Sequence, residues 1–580
     1  MQVRTGFNFE KVLIGFKALV GCWAIQEILG ITVRNPLTVV FFVLIAYIYS
    51  IIEKQGIISK IISAVLTILF SLLTYKSIIA SFDNGIFKLL SVGILVVGLF
   101  LDFYGVAGII NTVICKKKLK CVNFSIGKIK NDGTGKFFSG AKGVLSVSTI
   151  CFVFWLPYFL YEFPGIMTAD SLVQYEQVVG IAPFSNHHPV VHTFLFKIFY
   201  DLGFLISAEK QVGIATYTLA QMIFMAYCVG KLVCHLPNRL LQSCSLAFYC
   251  LVPFNGVFAV TIWKDIPFAG ITMLLLCKLL DLRTNVSRPK SFLWVEFTVL
   301  CIFFALFRSN AWYAFVVWIP FVLYTFRHDL KRAGVSLFTA FLVVIMIKGP
   351  LMNSLDIKQP DFVESLSLPI QQVARCLVDD EKIDDESMAL IEKAIDTTYI
   401  HELYAADFAD NMKELVRAGH PEEIENNKAQ YFRLWLHMVL SHPKCAIAAW
   451  YDLAGGYIYP DVSYAVGDID GIMANDYGLY WNPLIAGKVI IKIKEIAIKL
   501  GSFIPVYGML WSIGTYTWLL VISLFLSFRK KKYILGKLLL ALLICTLLIA
   551  SPVVDFRYGY ALVMTIPLWL DLGFYNGKTD

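Results

Sequence analysis

The sequence predicts an all-α protein that crosses a membrane many times. The chain has 580 residues, of which 58% are hydrophobic and 15% aromatic. Only 16% are charged, whereas roughly a quarter of the residues of a soluble globular protein carry a charge. Apolar runs of about 20 residues recur along the chain, and such runs need lipid as their solvent. These features exclude a secreted enzyme, a disordered scaffold, and a nucleic-acid-binding module built on the net charge of +8.

Apolar segments predict about fourteen transmembrane helices. They cover residues 11–30, 36–52, 57–80, 86–114, 143–161, 211–232, 239–260, 266–282, 291–307, 311–326, 334–350, 503–527, 533–550 and 557–574. Residues 191–206 are also apolar, but Thr193, Lys197 and Asp201 recur at every fourth position and form a polar stripe on one helix face. We therefore expect this segment to lie in the membrane interface.

Basic residues predict the orientation of these helices. The segment 116–142 carries eight lysines and is expected to be a cytoplasmic linker. Alternation from that linker keeps the later basic clusters inside, and it places the first loop of the core, residues 162–210, on the outer side. It also places outside a segment in which residues 351–480 hold 23 acidic and 9 basic side chains.

Five regions follow from this topology. They are an N-terminal module of four helices (1–115), the basic linker (116–142), a transmembrane core (143–350), an acidic extracytoplasmic domain (351–502) and C-terminal transmembrane helices (503–580). The acidic domain is predicted to be mostly helical. Within it, Pro421, Glu422 and Glu423 are expected to open a helix that continues to His442, because acidic residues favour the positive end of the helix dipole.

Four polar clusters are brought to the same predicted side of the membrane. They are Asp170 with Asn186, His187 and His188; Lys264 with Asp265; Arg308 with Asn310; and Asp555 with Arg557. Ionisable side chains at the ends of apolar spans are costly and often functional. A carboxylate, two imidazoles and several cations suit chemistry on a phosphate-bearing substrate, because cations hold phosphate and a carboxylate can accept a proton.

Each cluster also has a purely structural interpretation. Asp170 could be the N-cap of the short helix that follows it. Lys264 and Asp265 could form an interfacial ion pair, and Arg308, Arg375 and Arg557 could anchor helix ends at lipid headgroups. Asp170, His187 and His188 could supply three ligands to a divalent metal ion, although their spacing is not that of a strong metal motif.

Four stretches of the chain are similar to a bacterial branch of the GT-C superfamily, the multi-pass glycosyltransferases that use polyprenyl-phosphate sugars. They are FPGIMTADSLVQYEQVVGIAPFSNHHPVVHT, WKDIPF (Trp263–Phe268), LFRSNAW (Leu306–Trp312) and DFRYGYAL (Asp555–Leu562). The order of elements resembles that superfamily too, with interfacial helices in the first outer loop and a soluble outer domain. The resemblance begins near residue 143 and runs to the C terminus. Family members often carry one or two acidic residues in the first outer loop, where this chain has Asp170 and then Glu176.

The resemblance implies an inverting sugar transfer from a polyprenyl-phosphate donor to an acceptor at the outer face of a bacterial cell membrane. The acceptor would be a polysaccharide, a teichoic acid or a glycolipid, and the enzyme that makes the donor is a candidate partner. Asp170 would be the general base, and the cations would offset charge on the leaving phosphate. Substrate-binding residues would be Glu176, Asn186, His187, His188, Lys264, Asp265, Arg308, Asn310, Arg375 and Arg557.

Two other functions compete with this interpretation. A flippase or transporter of lipid-linked sugars should carry ionisable groups near the bilayer midplane, on broken helices of two related halves. Here the charged groups lie at span ends on one predicted side. A polysaccharide polymerase or ligase would share the polar outer site, and it would differ in using a diphosphate-linked donor.

Overall fold

The computed structural model describes residues 9–31, 37–52, 55–74, 86–115, 137–237, 239–283, 290–379, 381–459, 469–503, 509–530 and 533–574. Over these residues the chain is helical, with isolated bridges and no strand. The protein is an all-α membrane protein, as the sequence predicts. It forms two compact units, Met1–Asp132 and Gly133–Asp580, whose boundary falls within the predicted linker. Residues 116–136 of that linker lie outside the described residues.

The first unit contains four described helices. They are α1 (Phe9–Leu29), α2 (Leu37–Ile51), α3 (Ile57–Leu73) and α4 (Ile86–Ile109), which continues as a π-helical turn over Ile110–Cys115. Helix α4 packs against α1 and α3. The crossing of α1 and α4 is close, because a Cβ atom at Gly98 would lie 2.5 Å from the Cβ of Ala24. A larger residue at Gly98 would separate the two helices.

The second unit begins with ten helices, most of which contribute to its apolar core. They are α5 (Gly140–Tyr161), α6 (Ala169–Val178), α7 (Val190–Ser207), α8 (Lys210–His235), α9 (Arg239–Leu251), α10 (Pro253–Ala259), α11 (Asp265–Arg283), α12 (Lys290–Phe307), α13 (Ser309–Thr325) and α14 (Leu330–Met346). Helices α5, α7 and α11 all pack on α8. Trp155 and Trp318 are fully buried in this core.

The acidic region and the C-terminal helices complete the second unit. They comprise α15 (Met352–Ser354), α16 (Ser367–Val378), α17 (Asp385–Ala394), α18 (Ile400–Leu403), α19 (Asp410–Ala418), α20 (Pro421–Asn426), α21 (Lys428–Ser441), α22 (Pro443–Ala454), α23 (Lys488–Phe503), α24 (Ile513–Lys530), α25 (Ile534–Ala550), α26 (Tyr560–Met564) and α27 (Ile566–Phe574). The helix expected from Pro421 to His442 is broken at Asn427. The amide of Asn427 donates to the carbonyl oxygen of Glu423 at 3.1 Å, a local bond of the kind that competes with a continuous helix.

Six described helical segments are long and apolar enough to cross a membrane, and a bent pair raises the number to seven. The six are Val12–Leu29, Leu89–Thr112, Gly140–Tyr161, Val190–Ser207, Lys210–His235 and Arg327–Ser354. The bent pair is α9 with α10, which meet at 63° just before Pro253, where the missing N–H of proline interrupts the helix. Several other predicted spans are helices of 15 to 17 residues. The count of fourteen therefore stays a prediction.

Helix α7 corresponds to the segment expected at the membrane interface. Its length and apolarity are those of a membrane span. Of the predicted polar stripe, Thr193 is buried and Lys197 lies 3.1 Å from Asp201 in an ion pair. Its interfacial orientation stays a prediction.

Candidate functional site

Asp170 lies in the first turn of α6 and does not cap that helix. Thr168 is the N-cap residue, and its backbone N–H donates to Oγ of Ser171 at 3.3 Å. The interpretation of Asp170 as the N-cap is therefore wrong. Because capping does not use its carboxylate, that group is available for side-chain partners, while the positive end of the helix dipole favours its charge.

Two extended segments hold the residues that lead into α6. The N–H of Ile166 donates to Val260 at 2.9 Å, and the N–H of Ile262 donates back to Ile166 at 3.0 Å. On the other side, Met167 exchanges two backbone hydrogen bonds with Gly471 and Met473. These contacts bring Asp170 beside the WKDIPF motif, which follows Ile262 directly.

Side chains from three other segments meet around Asp170. Its Oδ2 atom lies 2.8 Å from Nη1 of Arg557 and 3.8 Å from Nζ of Lys264. Lys264 donates to Nδ1 of His188 at 2.7 Å, and Nε of Arg557 lies 2.8 Å from Oδ2 of Asp555. We call these five residues the charge cluster. It contains the carboxylates of Asp170 and Asp555, the cationic side chains of Lys264 and Arg557, and the imidazole of His188.

The charges of the cluster stabilise the ionised form of Asp170. Burial alone would raise the pKa of Asp170, but Lys264 and Arg557 outweigh burial, so its pKa lies below its usual value. Burial and the Lys264 ammonium lower the pKa of His188 to about 2. His188 is therefore neutral near pH 7, as its acceptor role toward Lys264 requires. Burial also lowers the pKa of Lys264, an effect that Asp170 opposes.

A second ion pair lies next to the cluster. Arg308 is the N-cap residue of α13, and its Nη1 lies 2.7 Å from Oδ1 of Asp265, which is 1% exposed. The same Nη1 donates to the carbonyl of Tyr558 at 3.2 Å, and the Tyr558 ring lies 4.7 Å from the guanidinium. This arrangement fixes Arg308 through a charge, a hydrogen bond and a cation–π contact.

Aromatic rings that the sequence analysis did not assign complete the site. The guanidinium of Arg557 lies over the rings of Trp263 at 4.7 Å and Tyr558 at 5.1 Å. The Trp263 indole donates to Oγ1 of Thr168 at 2.8 Å, which ties it to the start of α6. Trp263 lies in the WKDIPF motif and Tyr558 in the DFRYGYAL motif, but no feature of either motif distinguishes these rings from other interfacial aromatic residues.

Two cavities adjoin the cluster. The carboxylate cavity, of about 430 Å³, is lined by residues that include Thr168, Asp170, Trp263, Met473, Asp555 and Arg557. The cation cavity, of about 180 Å³, is lined by residues that include His187, Lys264, Arg308, Asn310 and Tyr558. Because Lys264 lines the cation cavity and also faces Asp170, the cluster lies between the two spaces.

A buried hydrogen-bond network connects α6 to the neighbouring helices. Gln174 of α6 donates to Oγ1 of Thr193 at 2.8 Å, and its carbonyl oxygen lies 3.0 Å from Nδ1 of His192. The hydroxyl of Tyr217 lies 2.6 Å from Nε2 of His192 and donates to Gln221 at 3.3 Å. Gln221 in turn donates to the carbonyl of Thr261 at 2.7 Å. The network therefore links α6 to α7, α8 and the segment before WKDIPF.

The structure brings most, but not all, of the predicted site residues together. Eight of them belong to the charge cluster, its neighbouring ion pair or the cation cavity: Asp170, His187, His188, Lys264, Asp265, Arg308, Asn310 and Arg557. Within the cation cavity, Asn310 donates to Oγ1 of Thr546 at 2.9 Å.

Three predicted substrate-binding residues have other partners. Glu176 accepts a hydrogen bond from the hydroxyl of Tyr477. Asn186 accepts from the N–H of Val190 at 3.3 Å, at the start of α7. Arg375 lies 2.7 Å from Asp379 and 3.2 Å from Asp452 in ion pairs of the acidic region. These contacts hold loops and helices together. None of them is made with a residue of the charge cluster.

The metal set that the sequence allowed is not assembled. Over the described part of the chain, no group of three or more His, Cys, Asp or Glu side chains is arranged to hold a metal ion. The Lys264 ammonium lies between His188 and Asp170, and His187 faces Glu364 at 3.9 Å. An amine cation thus takes the place that a metal would need.

Most of the charge cluster lies in a region that the chain shares with other proteins. A protein family matches residues 180–576, which is more than half of the chain. The chain belongs to the family DUF6020, a family of unknown function. The DUF6020 match contains His188, Lys264, Arg308 and Arg557, while Asp170 precedes it. No curated protein and no solved structure matches the chain.

Proposed function

We propose that this protein is a membrane glycosyltransferase that moves a sugar from a polyprenyl-phosphate donor to a hydroxyl acceptor at the outer face of a cell membrane. The observation that carries the proposal is the Asp170 carboxylate, which faces Lys264 and Arg557 at the wall of a cavity of about 430 Å³. That volume is within the range of small-molecule sites, about 300–1,000 Å³. Sugar transfer from a phosphate needs a proton acceptor beside phosphate-binding cations, and this cluster supplies both.

The reaction is a single displacement. The oxygen of the acceptor hydroxyl forms a bond to the anomeric carbon, on the face opposite the phosphate, and its proton passes to a carboxylate oxygen of Asp170. The bond between the anomeric carbon and the phosphate oxygen breaks, and its electron pair leaves with the polyprenyl phosphate. The configuration at the anomeric carbon is therefore inverted.

The two cavities suit the two parts of the donor. The cation cavity presents Lys264, Arg308 and Asn310 to a phosphate group. The carboxylate cavity adds the Trp263 ring beside Asp170, a surface on which a sugar can pack. Lys264 lines the cation cavity, and its Nζ lies 3.8 Å from Oδ2 of Asp170 in the wall of the carboxylate cavity, so it is placed at the junction of sugar and phosphate.

The same cations control the basicity of Asp170. Without a donor, Lys264 and Arg557 hold the pKa of Asp170 below its usual value, which makes its carboxylate a weak base. A phosphate bound in the cation cavity shares Lys264 with Asp170 and so raises the pKa of Asp170. The base is then strongest when the donor is present, which favours acceptor deprotonation in the complete complex.

The experiment that tests the proposal compares Asp170→Asn with the native protein in proteoliposomes. Labelled polyprenyl-phosphate hexose is the donor, and a membrane or cell-wall extract is the acceptor. We expect Asp170→Asn to lose about a hundredfold or more of the transfer rate, the usual contribution of a general base. Asp201→Asn is the matched control, because Asp201 is half-exposed on α7 and pairs with Lys197.

Two results would reject the proposal. One is a folded Asp170→Asn variant that transfers sugar at the native rate. The other is labelled lipid that crosses the bilayer equally well with both proteins while no donor is consumed. The second result would make transport of the lipid-linked sugar the function.

A further inference from the structure

The helices of the acidic region enclose a third cavity. Its volume is about 410 Å³, and its lining shares no residue with the carboxylate cavity or the cation cavity. Its walls are apolar and include Ile370, Val373, Ile391, Val416, Tyr431 and Trp435. These residues come from α16, α17, α19 and α21. We call it the apolar cavity.

The size of the apolar cavity indicates a ligand. Protein interiors are close-packed, with few voids larger than a water molecule. An apolar cavity of about 150 Å³ already accepts a benzene molecule, and the apolar cavity here is more than twice as large. With almost no polar wall to hold ordered water, its best occupant is an apolar chain.

One cation marks the mouth of the apolar cavity. Lys428, the first residue of α21, is the only charged side chain in the described lining. It is exposed, its Nζ lies 4.5 Å from the centre of the Phe362 ring, and it forms no ion pair with any described residue. The surrounding segment, residues 351–480, holds 23 acidic and 9 basic side chains. A lysine without a carboxylate partner in such an acidic region is a suitable partner for an anionic ligand group.

An exposed apolar face continues from this mouth. Phe432 lines the apolar cavity and is 58% exposed, and Leu436 and Leu440 follow on the same face of α21 with exposures of 41% and 71%. The acidic region follows the candidate span Arg327–Ser354 in the chain and precedes the apolar helix Ile513–Phe528. Exposed apolar residues next to membrane segments favour contact with lipid.

We propose that the apolar cavity binds the single apolar chain of an anionic lipid, whose head group pairs with Lys428. The chain enters past Phe432 and packs against Ile370, Val373 and Tyr431. Two sources have this chemistry, a fatty acid and an isoprenoid phosphate. The inference does not depend on the proposed transferase activity, because occupancy of the cavity is measured directly.

The test is photo-crosslinking of the full-length protein in phosphatidylcholine nanodiscs. The two probes are photoactivatable palmitate and photoactivatable farnesyl phosphate, and the labelled peptides are located by mass spectrometry. We expect saturable labelling at Ile370, Val373 or Tyr431 by one or both probes, displaced by the same lipid without the photoactivatable group. The probe that labels at lower concentration identifies the source.

Three variants make the test specific. Ala374→Leu adds volume to the wall of the apolar cavity and should abolish labelling there. Lys428→Glu changes an exposed residue without adding volume to the cavity, and it should reduce labelling about tenfold through the reversed charge. Lys444→Glu, an exposed lysine outside the lining, is the matched control and should label as the native protein does.

Other results would overturn the inference. Labelling that does not saturate, or that spreads over the transmembrane helices without marking the cavity, would show that the cavity holds no lipid chain. If Lys428→Glu is labelled as strongly as the native protein, the ligand does not carry an anionic head group that pairs with Lys428.

Discussion

Nη1 of Arg557 lies 2.8 Å from Oδ2 of Asp170, across 387 positions of the chain. The same guanidinium reaches Asp555 through Nε, also at 2.8 Å. A planar fork with five donors can serve two carboxylates in different directions, which an ammonium group cannot do. Arg557 therefore joins the start of α6 to the segment before α26.

Arg557→Lys should show this difference between the two cations. We expect a loss of about 1–3 kcal/mol in the free energy of unfolding, less than for a fully buried pair because both carboxylates are partly exposed. Transfer activity should fall about tenfold or more, since one carboxylate loses its partner. Thermal unfolding and transfer rates measure the two effects. Arg433→Lys, at an exposed position of α21, is the control, and equal losses in both variants would contradict the prediction.

Lys264→Met should weaken binding of the donor phosphate. Lys264 is 16% exposed and faces the cation cavity, so its charge acts on a bound phosphate with little screening. We expect about tenfold weaker binding of a short polyprenyl phosphate, measured by the ligand-induced rise in melting temperature. The exposed Lys331→Met should bind as the native protein does. A native-like rise in Lys264→Met would remove phosphate binding from this residue.

Tyr217→Phe should disturb α6 without touching the charge cluster. The Tyr217 hydroxyl is buried between His192 and Gln221, and its removal leaves their polar atoms without that partner. The expected cost is about 1–3 kcal/mol in the free energy of unfolding. Because α6 carries Asp170, kcat should fall more than KM rises. Tyr227→Phe is the control, because Tyr227 lies on the same helix and is 43% exposed, and a matching loss there would refute the role of the network.

Glu162 should make stability depend on pH. It is 1% exposed and accepts from the N–H of Gly471 at 2.8 Å, and burial followed by nearby Asp470 raises its pKa from 4.5 to about 8. Lys494, 3.7 Å from Glu162, opposes this shift. Between these two pKa values the folded protein holds a proton that the unfolded chain has released. Stability should therefore fall as the pH rises from about 4.5 to about 8.

The variant Glu162→Gln tests this dependence. A glutamine carbonyl can still accept from Gly471 but does not titrate. We expect the melting temperature of Glu162→Gln to change less over that pH interval than that of the native protein. Glu209→Gln, at an exposed position before α8, should keep the native dependence. Parallel curves for the native protein and Glu162→Gln would show that Glu162 does not carry the effect.

Much of the charge cluster could be predicted because charge in an apolar chain is conspicuous. Asp170, Lys264 and Arg557 each stand at the end of an apolar segment, where a charged group is costly and usually has a use. Trp263 and Tyr558 carry no such signal, since aromatic residues are common at both membrane interfaces. Their roles depend on lying over a guanidinium, which only the folded chain shows.

Proximity in the sequence did not predict which side chains contact each other. Glu176 shares α6 with Asp170, yet it contacts Tyr477. Arg375 resembles Arg308 as a cation near an apolar segment, yet its partners are Asp379 and Asp452. A side chain takes the partner that the packing of its helix presents, and local spacing does not specify that packing.

The sequence by itself determined that the protein is helical and lies in a membrane. Both properties follow from the local composition of the chain, because apolar runs need lipid as their solvent. The backbone N–H and C=O groups of such runs must then form their hydrogen bonds within each helix. Only the tertiary structure decided that Asp170 faces Arg557 and Lys264, that the Lys264 ammonium lies between Asp170 and His188, and that the acidic region encloses an apolar cavity. These features depend on distances of a few ångströms between residues that are remote in the chain, and hydropathy carries no information about such distances.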